Sequence, residues 1–134
     1  MSQLYTVEQA NRTLPLVRRI VEDIVTNHQR WRERILELDL LASSARADAP
    51  DGRATELERE AQTLARDIDA FEQELTRLGI VLKDRRLGLI DFPAEVMGRQ
   101  VWLCWRLGEP SVQFFHELDA GFGGRKPLAP ATTP

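Results

Sequence analysis

Two long amphipathic segments with a seven-residue repeat occupy the first half of the chain. In each segment, apolar residues recur at spacings of three and four, which keeps one stripe of a helix facing a partner helix. The first stripe consists of Val7, Ala10, Leu14, Val17, Val21, Ile24, His28, Trp31, Ile35 and Leu38. The second consists of Leu57, Ala61, Leu64, Ile68, Phe71, Leu75 and Leu78. The turn-rich segment SSARADAPDGRA separates them, so the pattern predicts an antiparallel, coiled-coil-like helical hairpin over residues 6–79.

The ends of the predicted hairpin carry helix-capping signals. Thr6 is a suitable N-cap, and Gln9 three residues later completes a capping box. Gly79 stands where a glycine that ends the second helix is expected. Pro15 removes one backbone hydrogen bond inside the first helix. We therefore expect either a kinked first helix or a short helix followed by a long one that begins near Pro15.

After the hairpin, the spacing of apolar residues changes to that of β-strands. Residues 87–92 (LGLIDF) and 100–107 (QVWLCWRL) are rich in strand formers, and Met97-Gly98-Arg99 supplies a turn between them. In the second strand, alternate residues share a face: Val101, Leu103 and Trp105 on one side, and Trp102, Cys104 and Arg106 on the other. Residues 111–118 predict a third strand, with a short helix beginning at Pro110 as the alternative.

These elements predict an α+β fold in a single domain, residues 1–134. It comprises the hairpin (6–79), a small antiparallel β region (80–128) and a flexible tail (129–134). Two or three strands are not stable alone, so we expect the sheet to pack on the hairpin near its open end. A lone hairpin buries only one stripe per helix. We therefore expect two copies to pair as a homodimer built around a four-helix bundle.

Composition narrows the classes of function. The 134 residues carry 18 basic and 21 acidic side chains, a formal net charge of −3, which gives no argument for nucleic-acid binding. No apolar run reaches the roughly 20 residues of a membrane span, and the N-terminus lacks the features of a signal peptide. We therefore expect a cytoplasmic protein without membrane or nucleic-acid partners. The single cysteine, Cys104, excludes a disulfide within one chain.

Three C-terminal motifs carry a family resemblance. LKDRRLGLIDFP, VWLCWRLGEP and FFHELDAGFGGRKPL occur in this order after a hairpin that opens with YTVEQANRTLPLVR. Together they resemble the bacterial family catalogued as domain of unknown function 2203, and the resemblance covers nearly the whole chain. It implies no established activity. It implies metal binding, and it directs attention to the polar residues of the motifs: Asp91, Cys104, Arg106, Glu109, His116, Glu117, Asp119 and Arg125.

The residues themselves offer a possible metal site. His116, Glu117 and Asp119, with Glu109 upstream, gather one imidazole and three carboxylates within eleven residues. Such ligands suit a divalent transition metal ion: zinc, iron or manganese. On a strand, however, His116 and Glu117 point to opposite faces, so a ligand from elsewhere must join His116. The alternative is that His116 is a hydrogen-bonded core histidine with solvated acids beside it.

Other readings of the polar residues remain open. The helical stripes contain no Asp or Glu, which argues against a carboxylate-bridged di-metal site inside a bundle. His28 fits a partnered polar group in the seam better than a ligand. A Cys104 nucleophile with His116 as its base, and a phosphate bound by residues 121–126, have little support from motifs. The leading hypothesis is a small metal-binding protein; the alternative is a structural or protein-interaction dimer without a ligand.

Overall fold

The structure, a computed structural model, describes residues 4–44 and 52–128. Two long helices come first: α1 spans Val7–Ser43 and α2 spans Gly52–Arg77. They are followed by five strands: β1 (Val81–Asp84), β2 (Leu89–Val96), β3 (Arg99–Arg106), β4 (Phe114–His116) and β5 (Lys126–Pro127). The predicted α+β order of a helical hairpin followed by an antiparallel sheet is confirmed. The predicted flexible tail and most of the interhelical turn lie outside the described residues.

The first helix begins as predicted but is not divided. Thr6 and Gln9 form both hydrogen bonds of a capping box. Pro15 lies inside the single helix α1, so of the two alternatives the short helix followed by a long one is wrong. Leu14, just before Pro15, and Val17, two residues after it, are both buried. Burial of each such side chain stabilises the fold by about 1.5–3 kcal/mol, which offsets the roughly 3 kcal/mol cost of an interior proline.

The second helix ends at a left-handed glycine. Gly79 has φ of 78°, a conformation that suits glycine. The amide of Gly79 donates to the carbonyl of Thr76, and the amide of Ile80 donates to that of Leu75. These two bonds make a Schellman motif, which satisfies carbonyls that the helix end would leave unpaired. The predicted glycine cap is confirmed, and the chain turns there directly into β1.

The sheet is larger than predicted. Its strands follow one another in the order β1-β2-β3-β4-β5, and every neighbouring pair is antiparallel. The two predicted central strands correspond to β2 and β3, with the turn at Met97 and Gly98 where both residues have positive φ. The third predicted strand is confirmed over the helical alternative, but only as the three residues of β4. The short strands β1 and β5 were not predicted.

The inner face of the sheet packs on the hairpin. One apolar core joins the sheet to the first half of α1 and the last half of α2. Its members include Val17, Val21 and Ile24 of α1, and Phe92 and Trp105 of the sheet. Gly88, in the turn between β1 and β2, comes so close to α1 that a Cβ there would lie 2.9 Å from Val21 Cγ1. The opposite, outer face of β2 and β3 is therefore turned away from the helices. In the described residues, neither helix has an apolar stretch long enough to cross a membrane.

Candidate metal centre

Three side chains that can bind metal, from three adjacent strands, meet on the outer face of the sheet. Asp91 on β2 lies opposite Cys104 on β3 in the strand register. His116 on β4 pairs with Trp102, two residues before Cys104, and therefore shares the face of Cys104. One ligand atom from each of Asp91, Cys104 and His116 lies within 4.8 Å of the other two. We call this group the Asp91–Cys104–His116 cluster.

The cluster is shielded from solvent although two of its members are polar. Asp91 is 3% exposed, His116 2% and Cys104 0%. Among the described residues, Asp91 and His116 are the only buried polar or charged side chains. Burial of a carboxylate or an imidazole is costly unless its polar atoms find partners. The polar atoms of Asp91 and His116 therefore need hydrogen-bond partners inside the protein or a bound ion.

The imidazole of His116 is held at both of its nitrogens. Nδ1 lies 2.9 Å from the backbone carbonyl oxygen of Glu117, and Nε2 lies 3.0 Å from Oδ2 of Asp91. A carbonyl oxygen only accepts hydrogen bonds, so Nδ1 carries a hydrogen and donates. A single proton then lies between Nε2 and Oδ2. The imidazole is oriented as in many metal-bound histidines, whose second nitrogen donates to a carbonyl.

The carboxylate of Asp91 is only half satisfied. Oδ2 has His116 as its partner, whereas Oδ1 is buried without a hydrogen-bond partner among the described residues. Burial raises the pKa of Asp91 above its ordinary value, and the nearby His116 opposes that shift. Unpartnered buried oxygens are rare in folded proteins and call for an explanation, such as a bound ion.

Cys104 is not an activated nucleophile. Burial, with the charge of Asp91, raises the pKa of its thiol to about 11, although the Arg125 guanidinium acts in the opposite direction. The thiol is therefore protonated at neutral pH, whereas nucleophilic cysteines have lowered pKa values. Both nitrogens of His116 are engaged elsewhere, so no imidazole nitrogen is free to accept the proton of Cys104. The hypothesis of a Cys104–His116 nucleophile has no support from this geometry.

Comparison with known proteins identifies the family. Residues 3–128 match the model of a protein family described as Uncharacterized conserved protein (DUF2203). The chain belongs to this family. No curated protein and no solved structure matches the chain. The matched region of this DUF2203 protein contains the hairpin, the sheet and all three members of the cluster.

Of the four ligands predicted from the sequence, only His116 lies in the cluster. Glu117 forms an ion pair with Arg99, 2.8 Å apart, and contributes only its backbone carbonyl to His116. Asp119 is exposed, beyond the end of β4. The geometry does not bring these two carboxylates to the imidazole, because the side chain after His116 points to the other face of the strand.

Glu109, the fourth predicted ligand, is bound to another side chain of this DUF2203 protein. Its two carboxylate oxygens lie 2.6 and 3.2 Å from the two terminal nitrogens of Arg125. One of these oxygens also accepts a hydrogen bond from the backbone amide of Arg106. Arg125 is thereby engaged as well, so phosphate binding by residues 121–126, which already had little support from the sequence, also lacks a free guanidinium at Arg125.

His28 has a different environment from the predicted one. It is only partly buried, and its ring stacks on that of Trp31 with centroids 5.9 Å apart. Partial burial lowers the pKa of His28, and the positive charges of Arg32 and Arg85 lower it further. His28 lies on α1 and has no carboxylate or thiol group around it that forms a metal cluster in the described residues. It therefore provides a matched control for His116, since the chain has two histidines.

Proposed function

We propose that this protein binds a divalent transition metal ion through Asp91, Cys104 and His116. The observation that carries the proposal is the buried, unpartnered Oδ1 of Asp91 within a group of carboxylate, thiol and imidazole ligand atoms that lie within 4.8 Å of one another. Ligand atoms around a tetrahedral zinc ion are about 3.3–3.6 Å apart, given metal–ligand distances of about 2.0–2.3 Å. Small side-chain movements would therefore suffice to close the cluster around an ion.

Charge balance supports a divalent ion. Without metal, the cluster holds two exchangeable protons: the thiol proton of Cys104 and the proton between His116 and Asp91. A doubly charged cation that replaces both protons leaves a neutral imidazole, a thiolate and a carboxylate. The total charge of the buried site is then unchanged. This matters because an uncompensated charge in a buried site costs several kcal/mol.

The ligand set favours zinc or ferrous iron over manganese. A thiolate is a soft ligand that zinc and iron accept readily, whereas manganese prefers carboxylate, carbonyl and water oxygens. Three protein ligands leave one position of a tetrahedral site for water or another molecule, as in many catalytic zinc sites. The donor set does not identify a reaction, so the proposal is for metal binding.

The test compares metal content among matched variants of untagged protein purified without chelator. We expect close to one equivalent of zinc or iron in the wild type by elemental analysis. Cys104→Ala and His116→Ala should lower this to less than about a tenth, because each removes one of three ligands. His28→Ala, the control at the other histidine, should keep its metal. Less than a tenth of an equivalent in the wild type after incubation with zinc would refute the proposal.

Two further variants separate the structural ligand set from the one predicted from sequence. Asp91→Asn removes the carboxylate of the cluster and should weaken zinc binding by at least about ten-fold. The combined Glu117→Gln and Asp119→Asn substitutions remove the predicted carboxylates and should leave zinc affinity within about two-fold. Unchanged zinc binding in Asp91→Asn together with weakened binding in the Glu117→Gln, Asp119→Asn variant would indicate that the carboxylates predicted from sequence are the ligands.

A second proposal is that the protein self-associates through the hairpin. Its support is a pair of exposed leucines on α1: Leu36 is 60% exposed and Leu40 is 61% exposed. Residues four apart lie on the same side of a helix, so the two leucines form one apolar patch. A second copy of the chain would cover this patch in the four-helix arrangement expected from the sequence.

Sedimentation velocity tests self-association. Wild-type protein should sediment as a dimer, and Leu36→Glu with Leu40→Glu should give a monomer, because charges in an apolar interface are costly. Leu16→Glu is the control, since Leu16 is a similarly exposed leucine of α1 outside this patch. A wild-type monomer at all accessible concentrations would refute this second proposal.

A further inference from the structure

Arg125 reaches the outer face of the sheet from the segment that follows β4. Its guanidinium carbon lies 3.9 Å from the ring centroid of Phe114 and 4.3 Å from that of Phe122. Phe114 is the residue of β4 directly opposite Cys104, so the Arg125 guanidinium stacks on the side chain next to the thiol on the outer face. Arg125 therefore lies over the part of the cluster that contains Cys104.

Access to Cys104 has to come from this side. Leu103 and Trp105, its neighbours along β3, point to the inner face and belong to the core shared with the helices. Cys104 points to the outer face, yet it has no exposed surface. Since the helices cannot cover the outer face, the cover over Cys104 must include the side chains that lie on that face, and Arg125 is one of them.

Glu109 fixes Arg125 in this position. The carboxylate binds the guanidinium through two contacts, and both side chains are less than one-fifth exposed. The carboxylate is itself held by the amide of Arg106 at the end of β3. The ion pair thus connects the loop after β3 to the segment before β5, across the strand β4 that lies between them in the sheet. In a partly buried, bidentate geometry such a pair is stronger than an ordinary surface ion pair.

We infer that the Glu109–Arg125 ion pair is a latch that closes the outer face over Cys104, and that opening of this latch admits metal ions and other reagents to the cluster. The first part concerns the protein without metal; the second part, metal entry, rests on the proposed function. Glu109 then acts as the anchor of Arg125 and not as a ligand. The latch opens when the segment carrying Arg125 moves away from Phe114.

The test measures alkylation of Cys104 by iodoacetamide in metal-free protein at about pH 9, where a fraction of the thiol is ionised. Glu109→Gln removes the charge of the anchor but keeps its size. Because the Glu109 charge also raises the pKa of Cys104, rates are compared per thiolate, from the pH dependence of alkylation in each protein. On that basis the variant should react at least about ten-fold faster. Glu72→Gln is the matched control, because it breaks another ion pair, with Arg85 at 2.6 Å, far along the chain from the latch. Its rate should stay within about two-fold of the wild type.

The dependence of the alkylation rate on ionic strength gives a second measurement. Iodoacetamide is uncharged, so added salt acts on the protein and not on the reagent. Screening weakens ion pairs, and the alkylation rate of the wild type should rise with ionic strength, whereas that of a folded Glu109→Gln variant should not. Equal rates in wild type and folded variant would overturn the inference. If circular dichroism shows that the variant is unfolded, a wild-type rate that does not respond to salt would overturn it.

The metal proposal is judged separately in the same assay. Zinc added before the reagent should protect wild-type Cys104 from alkylation if Cys104 is a ligand. A latch without metal binding would show faster alkylation in Glu109→Gln and no protection by zinc. If the protein binds metal but has no latch, zinc should protect Cys104 from alkylation, and metal-free wild type and metal-free Glu109→Gln should be alkylated at equal rates. If the protein has both the latch and the metal site, zinc should bind to Glu109→Gln faster than to the wild type.

Discussion

Asp91 and His116 form a buried pair across β3, the strand that lies between their own two strands. Their side chains meet at 3.0 Å, although Asp91 lies on β2 and His116 on β4, with β3 between them. The contact bridges 25 positions of sequence. It is possible because both side chains project from the same face of the sheet and bend toward Cys104 on the central strand. The pair therefore holds three strands together as well as forming two sides of the cluster.

The coupling of this pair has a measurable consequence for stability without metal. His116→Ala leaves Asp91 buried with neither oxygen partnered, which should cost about 3–5 kcal/mol in the free energy of unfolding. The double variant Asp91→Ala with His116→Ala also removes the unpartnered carboxylate, so it should be no less stable than His116→Ala alone. Chemical denaturation of the wild type, both single variants and the double variant gives the coupling energy. Strict additivity of the two single changes would show that the pair contributes no coupling.

Zinc binding should release protons. Cys104 is protonated at neutral pH because burial raises the pKa of its thiol to about 11, and a second proton is shared by His116 and Asp91. We expect about two protons per zinc ion, and an apparent affinity that rises by up to about 100-fold per pH unit. Calorimetric titration in buffers of different ionisation enthalpy measures this number. Cys104→Ser should lower it to about one, and an unchanged value in that variant would exclude the thiolate as a ligand.

Cys104 should also make the metal-free protein less stable in alkali. Its pKa is raised from an ordinary value of 9.0 to about 11 on folding, so the folded state retains the thiol proton where the unfolded state loses it. This stabilisation is fully present below about pH 9 and is lost as the pH rises through about 11. The free energy of unfolding should fall by about 2 kcal/mol across this window. Cys104→Ser, which does not titrate, should remove that part of the decline, and an identical decline in both proteins would contradict the raised pKa.

The fold was largely predictable because the spacing of apolar residues along the chain depends directly on the type of secondary structure. The heptad stripes, the Thr6 cap and Gly79 each depend on near neighbours in sequence, and all three appear as expected. The faces of β3 were also correct, since alternation needs only the strand itself. The strands β1 and β5 were missed because they are two to four residues long and only partly buried or exposed. Such strands depend on pairing with a neighbour and leave little pattern in the sequence.

The candidate site was less predictable because strand register assembles it. Glu117 and Asp119 are close to His116 in sequence, but one faces away from the imidazole and the other is exposed. Asp91 and Cys104 are distant in sequence and reach His116 only through the pairing of β2 with β3 and of β3 with β4. The available signal was a charged residue inside the apolar run LGLIDF, which is unusual for a strand with buried neighbours.

Gly88 should be essential for the position of the sheet on the hairpin. It has φ of 67°, and a Cβ there would lie 2.8 Å from Leu107 Cβ and 2.9 Å from Val21 Cγ1. Gly88→Ala therefore combines a strained backbone with overpacking against α1, and should lower the free energy of unfolding by about 3 kcal/mol. Gly98→Ala is the control, because Gly98 also has positive φ but no atom within 4 Å of its Cβ position. It should cost only about 1 kcal/mol, the backbone part alone. Equal losses at the two positions in chemical denaturation would show that the close approach of this turn to α1 contributes nothing to the docking of the sheet.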